Sequence, residues 1–314
     1  MPERLGAPHA QPMFRRLALI GFGLIGSSIA RATRRLNLAG RIVAMDRSPA
    51  VLERARELGL ADETQADAAE GVRGADLVIL CVPVGVVGEV ARAMAGGLAP
   101  GAIVSDVGSV KSAVLTQVQP HLPPWAHFVP AHPVAGTEQS GPDAGFATLF
   151  LNRWSILTPP EGTDAGAIER VRAFWSAMGS NVEVMTAAHH DLVLAITSHV
   201  PHLIAYNIVG TAADLEMVTQ SEVIKFSAGG FRDFTRIAAS DPTMWRDVFL
   251  HNKAAVLEML GRFNEDIALL TRAIRSDDGD TLLDLFERTR AIRRGIISEG
   301  QETPEPDFGR RREE

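Results

Sequence analysis

The sequence predicts an α/β protein in which an N-terminal doubly wound domain is followed by a C-terminal all-helical domain. Three observations support this prediction. Short apolar runs alternate with helical patterns up to about residue 185, a glycine-rich turn joins the first run to the first helix, and strand signals vanish after residue 186. Alternation of this kind is typical of a mainly parallel sheet that is covered by helices on both faces.

The elements of the first domain follow from short apolar runs and from longer stretches that place their apolar residues on one helical face. The runs predict strands at 16–21, 41–46, 77–82, 102–106, 127–130, 154–158 and 181–185. The periodic stretches predict helices at 24–36, 49–58, 85–95, 110–119 and 164–178. We expect these strands to form the mainly parallel sheet.

The second domain carries helical patterns only, at about 187–212, 214–226, 242–273 and 278–298. These helices have apolar residues on more than one face, which is more apolar surface than a small domain can bury by itself. We therefore predict a homodimer that forms through the helical domain. The predicted domains are residues 14–185 and 186–300, flanked by loose tails at 1–13 and 301–314.

The composition argues against several kinds of partner. The chain has 314 residues, of which 46% are hydrophobic and 22% charged, as is ordinary for a globular protein with room for two domains. Its net charge of -7 provides no positive field for nucleic acid. No apolar run reaches the ~18 residues of a membrane span, and the single Cys81 excludes a disulfide within the chain. We therefore predict a soluble cytoplasmic protein without nucleic-acid or membrane partners.

The turn after the first strand has the glycine spacing of a dinucleotide-binding loop. Gly21 permits a tight turn, Gly23 lets the backbone approach a pyrophosphate, and Gly26 lets the helix lie close to the strand. The phosphates then face the helix N-terminus at Leu24 and Ile25, where unpaired amides and the helix dipole favour an anion. The alternative is an ordinary turn between a strand and a helix.

Asp46 bears on the choice of cofactor. It ends the second strand, twenty residues beyond Gly26, where a carboxylate can bind ribose hydroxyls. Because a carboxylate repels a 2′-phosphate, Asp46 favours NAD over NADP. Arg47 works against this preference, since an arginine beside that position can pair with a phosphate. NAD is the predicted cofactor and NADP the less favoured one.

Two polar residues follow strands at the edge where doubly wound sheets bind their ligands. His132 follows the strand ending at Pro130, on a Gly/Pro-rich loop, where a neutral imidazole can take a hydroxyl proton while hydride leaves the same carbon. A turn histidine without a role is the alternative. Ser109 suits the N-cap of the next helix, but its hydroxyl can also bind the reacting oxygen or orient the imidazole. We expect Lys111 to be solvated or near phosphate.

A histidine-rich stretch marks the helical domain. Ser198 and His202 lie four residues apart and therefore on one helix face. Pro201 lacks an amide hydrogen, so we expect a kink with a polar wall beside it. Residues 189–191 add two histidines and an aspartate, but their spacing matches no familiar metal motif, and we predict no metal.

Arg236 precedes a helix that Asp241 and Pro242 start, as N-cap and first helical residue. A planar guanidinium at this position can clamp a substrate carboxylate with two hydrogen bonds. A surface salt bridge is the alternative for an isolated arginine.

Five motifs occur in the order GFGLIGSS, DVGSVK, HPVAGTEQSG, SHVPH and GGFRDFTRIAASDPTMWRD. Together they resemble the prephenate/arogenate (cyclohexadienyl) dehydrogenase family of tyrosine biosynthesis, over roughly residues 16 to 300. This resemblance implies a Rossmann-type nucleotide-binding domain followed by an all-helical dimerisation domain.

The resemblance also implies roles for individual residues. His132 matches the catalytic histidine, Ser109 the serine that assists at the ring hydroxyl, and Arg236 the arginine that binds the ring carboxylate. Glu138 is expected to act as an electrostatic gate at the substrate's other carboxylate. The residues implied at or close to the substrate pocket are Thr137, Glu138, Ser198, His202, Gly229 and Trp245.

The implied reaction is the oxidative decarboxylation of prephenate, arogenate or both, to 4-hydroxyphenylpyruvate or tyrosine, with hydride transfer to NAD. Aromatisation of the ring supplies the driving force. Two alternatives stay open: a different NAD(P)-dependent hydroxyacid dehydrogenase or imine reductase, and a module that senses NADH without turnover. The residues themselves do not distinguish the keto substrate from the amino substrate.

Overall fold

A computed structural model describes residues 5–137, 139–219 and 229–298 of the chain. The fold has two compact units, one within residues 1–256 and one within residues 257–314. Both sheets and every described candidate site residue belong to the first unit. The predicted domain boundary at residue 186 lies just after the last strand and not at residue 256. It stays a prediction.

Six parallel strands form the main sheet of the first unit: β1 Phe14–Ile20, β2 Ala39–Met45, β3 Glu63–Gln65, β4 Leu77–Leu80, β5 Ile103–Asp106 and β6 His127–Phe128. Their order across the sheet is β3-β2-β1-β4-β5-β6, so the strand order reverses between β1 and β4. Doubly wound sheets bind their ligands at this switch point, beyond the carboxyl ends of the strands. The turn at Gly21 begins there, directly after β1.

Helices cover both faces of this sheet. They are α1 Leu24–Leu36, α2 Pro49–Glu57, α3 Ala68–Gly71, α4 Val87–Met94, α5 Lys111–Val118 and α6 Ala165–Ala177. Leu17 and Leu19 of β1 pack into one hydrophobic core, whereas Ala18 and Ile20 pack into another, because successive side chains of a strand point to opposite faces. The predicted doubly wound α/β architecture is therefore confirmed.

A second sheet carries His132, where the sequence predicted a loop. Its strands are β7 Ala131–Pro133, β8 Trp154–Leu157 and β9 Asn181–Val184. β7 runs antiparallel to β8 and pairs His132 with Ile156, while β8 runs parallel to β9. The prediction of one strand at 127–130 followed by a loop is wrong, because Pro130 has no amide hydrogen and separates the two short strands β6 and β7.

The described chain after β9 is helical, as predicted. α7 Ala187–Leu194 continues into a π-helical turn, Ala195–His199, and then into α8 Val200–Thr219. The π turn lies immediately before Pro201, where the sequence predicted a kink, and a π turn is one way in which a helix absorbs an interrupted hydrogen-bond ladder.

The first unit contains two further described helices, α9 Gly229–Thr235 and α10 Pro242–His251, joined by the 3₁₀ turn Arg236–Ala239. The helix predicted at 214–226 lies partly outside the described residues. The helix predicted at 242–273 is divided at Asn252, which ends α10.

α10 shares a hydrophobic core with the main sheet. Its Trp245 and Val248, both buried, belong to the same cluster as Val78 and Leu80 of β4 and Val104 of β5. The main sheet and this helix are therefore packed as one body.

One helical stretch, Ala187–Leu215, is long and apolar enough to cross a membrane by length and composition, with a mean hydropathy of 1.5 over its most apolar window. The sequence predicted no such segment. No uninterrupted apolar run reaches that length, because histidines and an aspartate interrupt this stretch, and His190, Asp191 and His199 among them are buried.

The second unit contains the end of α11 Lys253–Arg275 and the helix α12 Gly279–Ser298. Many of its large apolar side chains are exposed, with Ile274 at 65% and Ile292 at 60% of their full accessible surface. The others are Leu257, Ile267, Leu269, Leu283 and Phe286.

Candidate active site

The first and third glycines of the loop are tightly packed, whereas the second faces open space. Gly21 has a φ of +92°, and a Cβ there would lie 2.5 Å from the carbonyl oxygen of Cys81. A Cβ on Gly26 would lie 2.3 Å from the carbonyl oxygen of Gly21. A Cβ on Gly23 would meet no atom within 4 Å. The backbone at Gly23 is therefore the part of the loop that a ligand can approach.

The N-terminus of α1 is available to an anion. Gly23 is its N-cap, and no side chain caps the first turn at Leu24 and Ile25. The first amides of a helix have no acceptor within the helix, and the helix dipole adds about half a positive charge there. This end of α1 fits the phosphates of a dinucleotide.

The Asp46 carboxylate lies beside the same loop. Its Oδ2 accepts a hydrogen bond of 2.9 Å from the amide of Phe22, and its Oδ1 accepts one of 2.9 Å from the amide of Ser48. Each carboxylate oxygen has a further lone pair for a ribose hydroxyl. Arg47 is exposed. The loop, the helix end and the carboxylate together fit a dinucleotide.

Alanine at Gly23 or Gly26 should separate binding from folding. We expect Gly23→Ala to keep its free energy of unfolding within about 1 kcal/mol of the wild type and to raise the NAD dissociation constant about 10-fold or more, since the Cβ enters the open space. Gly26→Ala should lower the free energy of unfolding by about 1–3 kcal/mol because it meets rigid backbone. Thermal unfolding and calorimetric titration check both. Unchanged NAD affinity in Gly23→Ala would contradict the assignment.

His132 belongs to a buried chain of three side chains. Its Nδ1 lies 2.8 Å from Nε2 of His190, and Nδ1 of His190 lies 2.9 Å from Oδ1 of Asp191. His132 is 8% exposed, and its Nε2 hydrogen-bonds to no described residue. Burial, followed by the nearby His190, Lys111 and His199, holds the pKa of His132 well below its usual value. His132 is therefore neutral near pH 7, as a proton acceptor must be.

Asp191, not Ser109, caps α5. The N-cap residue is Val110, which makes no side-chain hydrogen bond. The Asp191 carboxylate instead accepts hydrogen bonds from the amide of Lys111, at 2.7 Å to Oδ1, and from the amide of Ser112, at 2.9 Å to Oδ2. The predicted capping role of Ser109 is wrong because a carboxylate from α7 already occupies that place. The Ser109 hydroxyl is thus not used as a cap.

Lys111 is fully buried, so the expectation of a solvated lysine is also wrong. Its Nζ forms an ion pair with the buried Asp106 and donates a hydrogen bond of 2.7 Å to the carbonyl oxygen of Ala131. Asp106 in turn accepts one of 3.2 Å from the amide of Ala131. Burial lowers the pKa of Lys111, and the Asp106 carboxylate opposes this. The pair thus holds both main-chain groups of the residue before His132.

Lys111→Met should destabilise the fold strongly. The change leaves the Asp106 carboxylate buried without its cation, and breaking a buried pair costs about 3–5 kcal/mol. The double variant Lys111→Met/Asp106→Asn should lose less, because the amide carries no charge. Urea unfolding followed by tryptophan fluorescence measures both. Arg73→Met, which breaks an exposed pair with Glu70, is the matched control and should change the free energy of unfolding far less. A loss in Lys111→Met no larger than the control's would contradict this account.

A second group of candidate residues meets around Trp245. His202 stacks on the Trp245 ring, with centroids 3.6 Å apart, and its Nδ1 donates a hydrogen bond of 2.8 Å to the carbonyl oxygen of Ser198. Burial lowers the pKa of His202, and the positive charge of Arg236 lowers it further. Arg236, His202, Trp245 and Ser198 are therefore neighbours.

Asn252 and His199 join the two groups. The Asn252 amide nitrogen donates a hydrogen bond of 2.8 Å to the carbonyl oxygen of Asp191 and lies 3.1 Å from Nδ1 of His199. The His199 ring also packs edge-on against Trp245, with centroids 6.0 Å apart. Burial lowers the pKa of His199 to about 4, with neighbouring groups adding smaller effects. A polar network therefore runs from His132 to His199, and the His199 ring contacts Trp245.

Two described candidate residues, Thr137 and Gly229, have no described hydrogen bond to this network. Thr137 uses its hydroxyl to accept a hydrogen bond of 3.2 Å from the amide of Gln139. Gly229 is the first residue of α9. Glu138 lies outside the described residues. Within the described ranges, no three His, Cys, Asp or Glu side chains are arranged as metal ligands.

Several residues of the network were not predicted from the sequence. His190 and Asp191 were weighed only as part of a metal cluster, and Asp106, His199 and Asn252 were given no role. Their partners lie far away along the chain, 58 residues in the case of His132 and His190. The one local signal was the pair of histidines followed by an aspartate at 189–191.

The fold and the site define a dinucleotide-dependent oxidoreductase with a buried neutral histidine. Two family profiles match the chain: "Prephenate dehydrogenase, nucleotide-binding domain" over residues 29–184 and "Prephenate dehydrogenase, dimerization domain" over residues 186–288. The chain belongs to the prephenate dehydrogenase family. The resemblance stated from the five motifs is confirmed.

Individual relatives agree with this assignment. The cyclohexadienyl dehydrogenase of Zymomonas mobilis is 46% identical over 90% of this chain and 96% of its own length. The prephenate dehydrogenase of Bacillus subtilis is 34% identical over 89% of this chain and 76% of its own length. The crystal structure of Aquifex aeolicus prephenate dehydrogenase with hydroxyphenyl propionate and NAD⁺ has a TM-score of 0.84 and 33% identity, over 90% of this chain and 98% of that chain.

Proposed function

We propose that this protein catalyses the oxidative decarboxylation of prephenate, arogenate or both, with NAD as the hydride acceptor. The observation that carries the proposal is the buried, neutral His132, held through Nδ1 in a chain that belongs to the prephenate dehydrogenase family. The substrate ring is a cyclohexadiene with a 4-hydroxyl and a 1-carboxylate. Its conversion to a phenol requires loss of a hydride from C4, a proton from the hydroxyl and CO₂ from C1.

His132 is the base in this proposal. Its Nε2 takes the proton of the 4-hydroxyl as the hydride leaves C4, and general-base catalysis of this kind contributes about 10²- to 10⁴-fold. When bound, NAD supplies the nicotinamide ring that accepts the hydride. The electrons of the C1–carboxylate bond then complete the aromatic ring. Ser109 hydrogen-bonds the same hydroxyl and so keeps it oriented toward the imidazole.

Arg236 and its neighbours hold the substrate. The guanidinium binds the ring carboxylate, which keeps that group oriented until it leaves. Ser198, His202 and Trp245 form the wall beside Arg236, which is supported by the contacts of His202 with Ser198 and Trp245. Thr137, Glu138 and Gly229 complete the pocket by family likeness, with Glu138 near the substrate's side-chain carboxylate.

NAD rather than NADP is the proposed cofactor. The residues that bind it are Gly21, Gly23, Leu24, Ile25, Gly26 and Asp46. The support is the open space at Gly23, the uncapped end of α1 and the carboxylate beside the loop. The NAD⁺ complex of the Aquifex aeolicus relative agrees with this choice.

The proposal includes a cytoplasmic homodimer that forms through the helical domain. Support comes from the dimerization-domain profile over residues 186–288 and from the exposed apolar side chains of α11 and α12. The single cysteine suits a reducing compartment. Analytical ultracentrifugation at micromolar concentration tests the dimer, and a monomer would contradict it.

One assay tests the reaction, the substrate and the cofactor together. The purified protein is given prephenate or arogenate with NAD or NADP, and reduced cofactor and CO₂ are measured in parallel. We expect NADH and CO₂ in equal amounts from at least one substrate. Oxidation of a β-hydroxyacid without CO₂ would favour another dehydrogenase, and tight NADH binding without turnover of either substrate would favour a sensing module.

A further inference from the structure

We propose that His190 is a positioning residue, which together with Asp191 fixes the ring hydrogen of His132 on Nδ1 and so reserves Nε2 for the substrate proton. This inference rests on the proposed function, in which His132 is the base. A histidine has two ring nitrogens, and in the neutral ring only the unprotonated one can accept a proton. Which nitrogen it is depends on the partners of the other.

The hydrogen positions follow from Asp191. Its carboxylate oxygens face the amides of Lys111 and Ser112, which only donate, so the group acts as an acceptor. Burial disfavours its charge, but the hydrogen bonds from His190 and from these amides outweigh burial and lower the pKa of Asp191. Nδ1 of His190 therefore carries a hydrogen and donates it to Oδ1 over 2.9 Å.

The protonation of His190 in turn determines which ring nitrogen of His132 carries the hydrogen. Burial lowers the pKa of His190, and the opposing hydrogen bond to Asp191 does not reverse this decrease, so the ring is neutral and its Nε2 is an acceptor. Nδ1 of His132 lies 2.8 Å from that nitrogen, a hydrogen bond that requires a hydrogen on Nδ1 of His132. Nε2 of His132 is then the basic nitrogen, and it hydrogen-bonds to no described residue.

The relay is anchored where it starts. The Asp191 carboxylate sits at the N-terminus of α5, where the helix dipole stabilises a negative charge. The carbonyl oxygen of Asp191 accepts a hydrogen bond of 2.8 Å from Asn252. Asp191 and Asn252 are buried, and His190 is fully buried. Because every group is fixed by a second element, rotation of either imidazole would break a hydrogen bond inside the protein.

The relay also offsets an unfavourable setting for the charged base. When His132 accepts a proton it becomes a cation close to Lys111 and to His199. The anions in the same region are Asp106 and Asp191, and Asp191 is linked to His132 through His190. The negative charge of Asp191 therefore stabilises the protonated ring of His132 through one intervening residue, His190.

Two variants of His190 test the inference, because each keeps one of its two hydrogen bonds. The amide of glutamine falls near the position of Nε2, so His190→Gln retains an acceptor for His132. The amide of asparagine falls near Nδ1, so His190→Asn retains the donor to Asp191 and loses His132. We expect His190→Asn to lower kcat by about 10- to 100-fold, as loss of a partner that orients a histidine does, and His190→Gln to retain most of it.

The KM values for substrate and NAD should change little in both variants, since neither His190 bond reaches a ligand. The exposed neighbour His189, changed to Asn, is the matched control and should match the wild type. A kcat of His190→Asn equal to that of His190→Gln would overturn the positioning role.

A spectroscopic measurement separates this inference from the proposed function. The ¹⁵N shifts of histidine ring nitrogens report which one carries the hydrogen, and His132→Asn identifies the signal of His132. In ligand-free protein we expect the hydrogen of His132 on Nδ1, with a mixture of both forms in His190→Asn. If these ¹⁵N shifts are observed but neither prephenate nor arogenate is turned over, the proposed function is contradicted and the positioning role is not. If the substrate is turned over but the hydrogen of His132 lies on Nε2, the positioning role is contradicted and the proposed function is not.

Discussion

Changing His132 to asparagine is expected to lower kcat by about 10²- to 10⁴-fold, the range that a general base contributes. The amide keeps a polar group in the same place but cannot take a proton at neutral pH. The KM for NAD should change little, because the cofactor residues at the glycine loop are untouched. Steady-state kinetics checks this, with circular dichroism to establish that the variant is folded. Near-full turnover would contradict the role of His132.

The pH dependence follows from the same residue. The neutral imidazole is the active form, so kcat/KM should be flat at neutral pH and fall as the pH drops through the pKa of His132. Burial, followed by the nearby His190, Lys111 and His199, places that pKa well below the usual 6.5, so the fall comes at a more acidic pH than for an exposed histidine. A rate that increases toward acid pH would contradict the mechanism.

Acid pH should also weaken the fold, and a control must separate the two effects. His132, His190, His199 and His202 all have a pKa below the unfolded value of 6.5, so the unfolded chain binds more protons than the folded one. Stability is then fully present above pH 6.5 and is lost as the pH falls below it. Circular dichroism at each pH distinguishes an inactive folded enzyme from an unfolded one.

Arg236→Gln is expected to raise the KM for prephenate or arogenate by about 10- to 150-fold, because a hydrogen bond to a charged group contributes about 1.5–3 kcal/mol. Arg236→Lys should recover only part of this, since an ammonium cannot form the paired hydrogen bonds of a guanidinium. Steady-state kinetics in substrate and in NAD measures both. The exposed Arg73, changed to glutamine, removes the same charge outside the site and should leave the KM unchanged.

A product-like ligand makes the test specific to the ring carboxylate. Hydroxyphenyl propionate, which the Aquifex aeolicus relative binds, lacks that group. If Arg236 clamps the ring carboxylate, the inhibition constant of this compound should shift much less in Arg236→Gln than the KM does. An equal shift of both would contradict the assignment and would place the arginine at the side chain instead.

The parts of the fold that local sequence determines were predicted well. The helix predicted at 24–36 is α1, and the glycine positions lie in the turn between β1 and α1, because spacing and turn chemistry act over a few residues. The short β3 and α3 were missed, since neither is long enough to show a period.

Features that depend on distant partners could not be predicted. The second sheet exists because β7 pairs with β8 across an intervening segment, and no local pattern reveals that register. The capping of α5 by Asp191 joins residues 80 positions apart, and this contact takes the place of the capping role expected of Ser109. Lys111 looked like a surface lysine until Asp106 and Ala131 were found around it.

The shared core of α10 and the main sheet limits how the pocket can open. A rigid-body movement of α10 cannot take Trp245 away from the glycine loop, because Val248 on the same helix would have to leave a core shared with β4 and β5. Entry and release of the proposed substrate are therefore not expected to require movement of α10 away from the main sheet. Trp245 therefore keeps a fixed position relative to the main sheet.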